Sequence, residues 1–167
     1  PVVIAPEPNT YREVLDVLET RLSLAGKRVY VQEYGIRNYE LLEGLAARGA
    51  ATVVPVPIYG YGLPKDTAAL EAAIERIASL EMPAALFTSQ TQVFHLFEVA
   101  EKLGRADALR RALETHTVIA SVGPITTEAL ARYGLAPDYE PEHPKMGHLI
   151  AGLARALPTL LEAKRGR

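Results

Sequence analysis

Residues 118–134 read VIASVGPITTEALARYG. An apolar run ending near Ser121 leads into Gly123-Pro124, and Thr126 and Thr127 then stand just before Ala129 and Leu130, where an amphipathic stretch begins. That is how a strand hands over to a helix. The first turn of a helix has backbone N–H groups with no partner inside the helix, so the question is what this helix start holds.

The same unit recurs along the chain. VVIAPEPNTYREVLDVLETRL (2–22), RVYVQEYGIRNYELLEGLAARGA (28–50) and AALFTSQTQVFHLFEVAEKLG (84–104) each run from an apolar strand, through a polar or glycine-containing turn, into a helix-period stretch. Val14, Leu15, Leu18 and Leu22 repeat with helical spacing, as do Leu41, Leu42 and Leu45, and then Val93, Phe94, Phe97 and Ala100. Strands are expected at about 1–5, 28–32, 52–58, 84–88 and 117–122. They are continuous apolar runs, the pattern of parallel strands buried on both faces. Alternating strands and helices of this kind predict an open α/β sheet with right-handed crossovers.

The pattern breaks at VPVPIYGYGLPKD, residues 54–66, which holds three prolines and two glycines. Proline cannot donate to a sheet ladder, so this segment reads as an edge or an exposed connection. We expect it to carry the crossing between two lobes: residues 1–58 in one, 59–66 as the crossing, 67–167 in the other. Further helices are expected at about 67–79, 105–113 and 147–157, the last stopped by Pro158.

Of the 167 residues, 49% are hydrophobic and 23% charged, which describes a globular protein. A net charge of −2 with both signs dispersed gives no bulk electrostatic case for nucleic acid or acidic membranes. The chain has no cysteine, hence no disulfide framework, thiol nucleophile or thiolate metal site, and a cytoplasmic location is expected. No apolar run is long enough to span a bilayer. The chain begins with Pro1 in what reads as mid-strand, so further sequence upstream is expected.

In open α/β sheets, ligands collect at the carboxyl ends of the strands, where helix N-termini present free amides. Such ends carry Asn9 and Thr10, Tyr34 to Asn38, Thr88 to Thr91, and Gly123 to Thr127. Each set of Asn, Ser and Thr reads singly as a helix cap, and together as an anion site in a cleft. No G-x-x-x-x-G-K-[ST] or G-x-G-x-x-G is present, which disfavours nucleotides and leaves carboxylates. Ser89 and Ser121 lie in no nucleophile elbow. Of the histidines His95, His116, His143 and His148, none is spaced with others as a metal site, and Glu140 and Glu142 are expected to face solvent. Tyr59, at the end of the run VVPVPIY, is either a cleft-facing phenol that donates a hydrogen bond or proton, or an amphipathic tyrosine packed at a lobe surface.

SVGPITTEALARYGLAPDYEPEH (121–143) resembles the Gly-Pro-x-Thr helix start and trailing strand of uroporphyrinogen-III synthases. LFTSQTQVFHLFEVA (86–100) resembles their strand-then-Ser/Thr turn, and VPVPIYGY (54–61) their return segment between lobes. The resemblance implies two flavodoxin-like or Rossmann-like lobes with parallel sheets, both lacking their first strands, because members of the family are longer and this chain matches their C-terminal portion. It implies a cyclising lyase of tetrapyrrole and haem biosynthesis that closes hydroxymethylbilane, a linear tetrapyrrole with eight carboxylates, to uroporphyrinogen III with inversion of the last ring. No metal or organic cofactor is implied. A monomer is expected.

Carried onto this chain, the resemblance makes Tyr59 the catalytic residue. It places Thr88, Ser89, Gly123, Thr126 and Thr127 on substrate-binding turns of one lobe, and Asn9, Thr10, Tyr34 and Gly35 on those of the other. Ile125 stands where relatives often have another threonine. The competing expectation is a non-catalytic, synthase-like binding or regulatory module of a larger protein.

Overall fold

Leu15 and Leu45 are packed together where α1 (Tyr11–Arg21) lies against α2 (Tyr39–Ala47), and Gly44 is what lets the two helices approach. A Cβ at Gly44 would stand 2.5 Å from Leu15 Cδ1. These helices cover one face of a parallel pair, β1 (Arg28–Tyr34) and β2 (Thr52–Tyr59), whose Val29, Val31 and Val53 complete the cluster around Leu15, Leu24 and Leu45. The computed structural model describes residues 2–166. The chain divides into two compact units, Pro1–Gly62 and Leu63–Arg167, each with its own core and its own parallel sheet.

In the first unit the register runs from Arg28 opposite Thr52 to Glu33 opposite Pro57, and a bulge then sets Tyr34 opposite Tyr59. Pro55 and Pro57 are two residues apart, so both place their missing N–H on the same edge of β2, the one away from β1. That edge has no neighbour among the described residues. Burial along β1 alternates, and Tyr30 on its uncovered face is 62% exposed. Among the described residues, helices cover only one side of this pair, so its strands are not buried on both faces as expected. Of the strand expected at 1–5, the described residues 2–5 form none. Val2 and Ile4 are exposed and pair with no described strand; Pro1 lies outside the described residues.

The second unit comes nearer to the doubly covered pattern, although Leu86 stays exposed. β3 (Ala84–Phe87) pairs in parallel with β4 (Val118–Ser121), and Tyr139 adds a parallel bridge on the far side of β4 at Ala120. Alternate residues of β4 enter different cores. Ile119 joins Ile74, Phe87, Val93, Phe97, Leu109 and Leu130, contributed largely by α3 (Ala68–Ala78), α4 (Gln90–Lys102), α5 (Ala106–Thr115) and α6 (Pro124–Ala131). Val118 and Ala120 join Leu149 and Leu153 of α7 (Met146–Arg165).

α7 corrects one expectation: it does not stop at Pro158 but runs through it. A mid-helix proline removes a rung and costs about 3 kcal/mol. Leu157, Leu160 and Leu161 nevertheless pack, partly buried, on the Val118 cluster, and each contributes a share of the about 1.5–3 kcal/mol of a fully covered side chain against that cost. The far end is pinned as well. Lys164 Nζ donates to Asp138 Oδ2 at 2.5 Å, with both side chains buried, and the same Oδ2 accepts Ile119 N–H at 2.8 Å. Among the described residues no helix is long and apolar enough to cross a membrane.

Candidate functional site

The carboxyl ends of β1 and β2 bring three tyrosines together. Tyr34 and Tyr59 meet edge to face with ring centroids 5.7 Å apart, and Tyr59 meets Tyr61 in the same way at 5.4 Å. The Tyr59 and Tyr61 hydroxyls lie 3.4 Å apart. Both rings are about half exposed, so this is a surface cluster held by its own geometry. Aromatic rings prefer such T-shaped contacts because the positive edge of one meets the negative face of the other. The contact with the Tyr61 hydroxyl, then partial desolvation, raises the Tyr59 phenol above its ordinary pKa, so Tyr59 keeps its proton at neutral pH. Gly35, next to Tyr34, donates its N–H to Tyr59 O at 2.9 Å and so closes the end of the sheet beneath the cluster.

The other predicted residues of this unit serve the chain itself. Thr10 caps α1: its Oγ1 accepts Arg12 N–H at 3.2 Å, and Glu13 Oε2 accepts from both Thr10 N and Thr10 Oγ1. That reciprocal pair is a capping box. The hydrogen bond from the Thr10 side chain lowers the Glu13 pKa. Asn9 sits in the left-handed region at φ 60, its N–H bonded to Pro6 O. At the start of α2, Asn38 Oδ1 accepts Leu41 N–H, and Glu33 takes Arg37 through two guanidinium nitrogens.

In the second unit, Thr88 and Ser89 end β3 and open α4. Ser89 Oγ accepts Gln92 N–H, while Gln92 Oε1 accepts Thr88 N–H at 2.8 Å and faces the Thr88 hydroxyl. The S-x-x-Q spacing of Ser89 and Gln92 is a capping signal that the reading of Thr88 and Ser89 alone passed over.

The turn after β4 is more elaborate. Ser121 Oγ is buried and accepts Gly123 N–H, and its own proton reaches Gly123 O at 3.1 Å. Gly123 O accepts the N–H groups of Thr126 and Thr127. Pro124 has no N–H to offer. Thr126 is buried, and Gly123 lies under Pro144, where a Cβ would stand 2.8 Å from the proline ring. The Thr127 hydroxyl contacts both Ser121 Oγ and the carboxylate of Glu140. It has one proton, and the charged acceptor is the stronger, so that proton goes to Glu140.

At the α6 start the Thr126 and Thr127 amides are taken by Gly123 O, and the protein's own Glu140 carboxylate takes the Thr127 hydroxyl. Glu140 is exposed, as expected, yet it is not idle. Its partnership with a threonine thirteen residues earlier has no local sequence signal. Among the described residues, no group of three or more His, Cys, Asp or Glu side chains converges as a metal site.

Comparison with known proteins gives a consistent set of likenesses. The family model described as uroporphyrinogen-III synthase HemD matches residues 1–151. A Bacillus subtilis protein, YjjA, is 31% identical over 149 residues, covering 89% of this chain and 54% of its own. The wild-type uroporphyrinogen III synthase of the extremely thermophilic bacterium Thermus thermophilus is similar in structure, with a TM-score of 0.57, 33% identity, and coverage of 90% of this chain and 56% of that one. A selenomethionine derivative of a mutant of the same enzyme gives a TM-score of 0.63 at 31% identity, with the same coverage. The chain spans a little over half the length of these relatives.

Proposed function

The chain belongs to the uroporphyrinogen-III synthase family, and from that premise we propose that it acts in closing hydroxymethylbilane to uroporphyrinogen III, with inversion of the last ring. The observation that carries this reading is the match over residues 1–151, reinforced by solved synthases above 30% identity. Two local features support it. Tyr59 ends its strand as a protonated, half-exposed phenol, suited to donate a hydrogen bond or proton as the bilane loses its hydroxyl. The turns at Thr88–Ser89 and Gly123–Thr127 stand at the carboxyl ends of a parallel pair, where ligands of α/β sheets gather.

In this reading the enzyme is a cytoplasmic, monomeric lyase that works mainly by orientation, with no metal or organic cofactor. Asn9, Thr10, Tyr34, Gly35, Thr88, Ser89, Gly123, Thr126 and Thr127 shape the substrate-binding turns, several of them through the caps that fix the backbone. Incubation with hydroxymethylbilane, followed by separation of the type I and type III products, tests the reading. Type III product is expected. Type I alone, at the uncatalysed rate, overturns it.

The second reading is a synthase-like binding module without catalysis. Saturable binding of the bilane with no type III product would select it.

A further inference from the structure

A cavity of about 440 Å³ lies between α7 and the segment that leads into it, lined by Tyr139, Glu142 and His143 on one side and by Gly147, His148 and Arg155 on the other. His148 and Arg155 are seven residues apart on α7, two turns along one face, and Gly147 and Ala151 leave the space between them open. The His143 and His148 rings stand edge to face with centroids 5.4 Å apart. Tyr139 reaches the helix only because residue 152 is glycine: a Cβ there would stand 1.7 Å from the Tyr139 hydroxyl.

Three of these side chains spend no polar atom on the rest of the described chain. The side chains of Tyr139, His148 and Arg155 form no hydrogen bond or ion pair with any described residue. Arg37, Arg48 and Arg105, by contrast, each hold a glutamate. A guanidinium is charged at any physiological pH and presents donors in a fork that matches a carboxylate. An imidazole N–H and a phenol add donors beside it. Glu142 supplies one acceptor in the same lining.

Several donors with a permanent positive charge, and one carboxylate acceptor, suit a ligand that carries both acid arms and an N–H. A pyrrole ring with acidic side chains has that chemistry. The volume is in the lower part of the ~300–1,000 Å³ range of small-molecule sites, enough for one such ring and not for four.

We infer that this pocket binds a single acid-bearing pyrrole ring, with Arg155, His148 and Tyr139 on its carboxylates and Glu142 on its N–H. The identity of the ligand rests on the reading given under Proposed function. The pocket would then seat one ring of the bilane by side chains, in addition to the turns.

The test uses the 167-residue protein and porphobilinogen, a free pyrrole with one acetate and one propionate arm, followed by NMR of the four histidines. His143 and His148 should shift saturably while His95 and His116 stay in place, and 2,5-dimethylpyrrole, which lacks the acids, should do nothing. Arg155→Gln should weaken binding at least tenfold. Gly152→Ala, which displaces Tyr139 without touching a charge, should also weaken it. Binding that survives Arg155→Gln, inorganic phosphate binding as tightly as the pyrrole, or histidine shifts seen only with Zn²⁺ would each overturn the inference. The two readings fail separately. Type III product from a protein whose histidines ignore porphobilinogen removes the pocket and keeps the synthase; a responsive pocket with no type III product does the reverse.

Discussion

Tyr61 rests on the bare backbone of Gly35: a Cβ at that position would lie 2.3 Å from Tyr61 Cδ2, and Gly35 holds φ +82. The residue is thus glycine for two reasons, the left-handed backbone and the ring above it. Gly35→Ala must move Tyr61, and with it the edge contact to Tyr59. We expect a loss of about 1–2 kcal/mol from the left-handed conformation alone, with more from the collision. Urea unfolding measures the loss, and near-ultraviolet circular dichroism should show the tyrosine cluster weakened. A variant as stable as the parent with an unchanged tyrosine signal would contradict this.

The Tyr59 phenol offers a pH test. Its pKa is raised chiefly by the Tyr61 hydroxyl, so in Tyr61→Phe it should fall back toward the ordinary tyrosine value of about 10. The sign follows from linkage: a raised folded pKa favours the folded protein below the unfolded value, and that contribution is lost as pH rises through the folded value. The parent should therefore lose stability through this group only in the alkaline range. Carbon-13 NMR of labelled Tyr59 through an alkaline titration reads the shift directly.

Tyr59→Phe asks whether the phenol does chemistry. Loss of a general acid should slow formation of type III product by about ten- to a hundredfold, with substrate affinity changed much less. Substitutions at Ser89 should be milder, since its hydroxyl caps α4. Unchanged turnover in Tyr59→Phe would assign the cluster to packing.

The capping box at Thr10 and Glu13 should make α1 sensitive to acid. Glu13 has a lowered pKa because Thr10 donates to its carboxylate, so its contribution is present above the unfolded carboxylate value, about 4.3, and is lost as pH falls through the lowered folded value. Thr10→Ala should cost about 1 kcal/mol at neutral pH. It should also flatten the loss of stability between neutral pH and about pH 3, as followed by chemical denaturation at each pH. An undiminished acid dependence in Thr10→Ala would place the sensitivity elsewhere.

How far the sequence discloses this protein differs from element to element. The handover at Val118–Pro124 was legible because β4 is buried on both faces and its apolar run is unbroken. The first strand was not, because an apolar run such as Val2–Ala5 becomes a strand only beside a partner. Pro158 misled because local propensity ends a helix there, while the leucines around it and the Lys164–Asp138 pair further on hold it together through distant contacts. Thr10, Ser89 and Thr127 were legible as helix-start residues. What each touches was only half legible: Glu13 and Gln92 lie three residues from their partners, within reach of a capping rule, whereas Glu140 reaches Thr127 through the fold.

The buried pair at the end of α7 gives a stability prediction with an internal control. Lys164→Met takes the buried ammonium away from the Asp138 carboxylate, and removing one partner of a buried pair costs about 3–5 kcal/mol. Joined with Asp138→Asn, which keeps an acceptor for Ile119 N–H, the loss should shrink, since the side chain at 138 then carries no charge for the ammonium to balance. A double-mutant cycle by chemical denaturation resolves the coupling. Strictly additive losses would mean that the two side chains act independently.

Glu140 makes the last case, because it occupies the turn that the proposed function assigns to a substrate carboxylate. Its carboxylate is bonded to the Thr127 hydroxyl, and a ligand carboxylate brought to the same hydroxyl must displace it or meet its charge. Glu140→Gln keeps an acceptor for Thr127 and removes the charge. Binding of an octacarboxylate should then tighten, and relief of about 1.4 kcal/mol of repulsion corresponds to tenfold in affinity. The stability of the fold should change little, since Glu140 is exposed and an exposed contact of this kind contributes little. Glu140→Ala separates the two roles: it frees the hydroxyl altogether, and should tighten binding as much or more while loosening the turn. Titration of both variants with uroporphyrin, followed by fluorescence, measures the contrast. Weaker binding in Glu140→Gln would mean that the carboxylate helps to hold the ligand, by accepting a pyrrole N–H, and that the α6 start is not where an acid arm of the substrate lies.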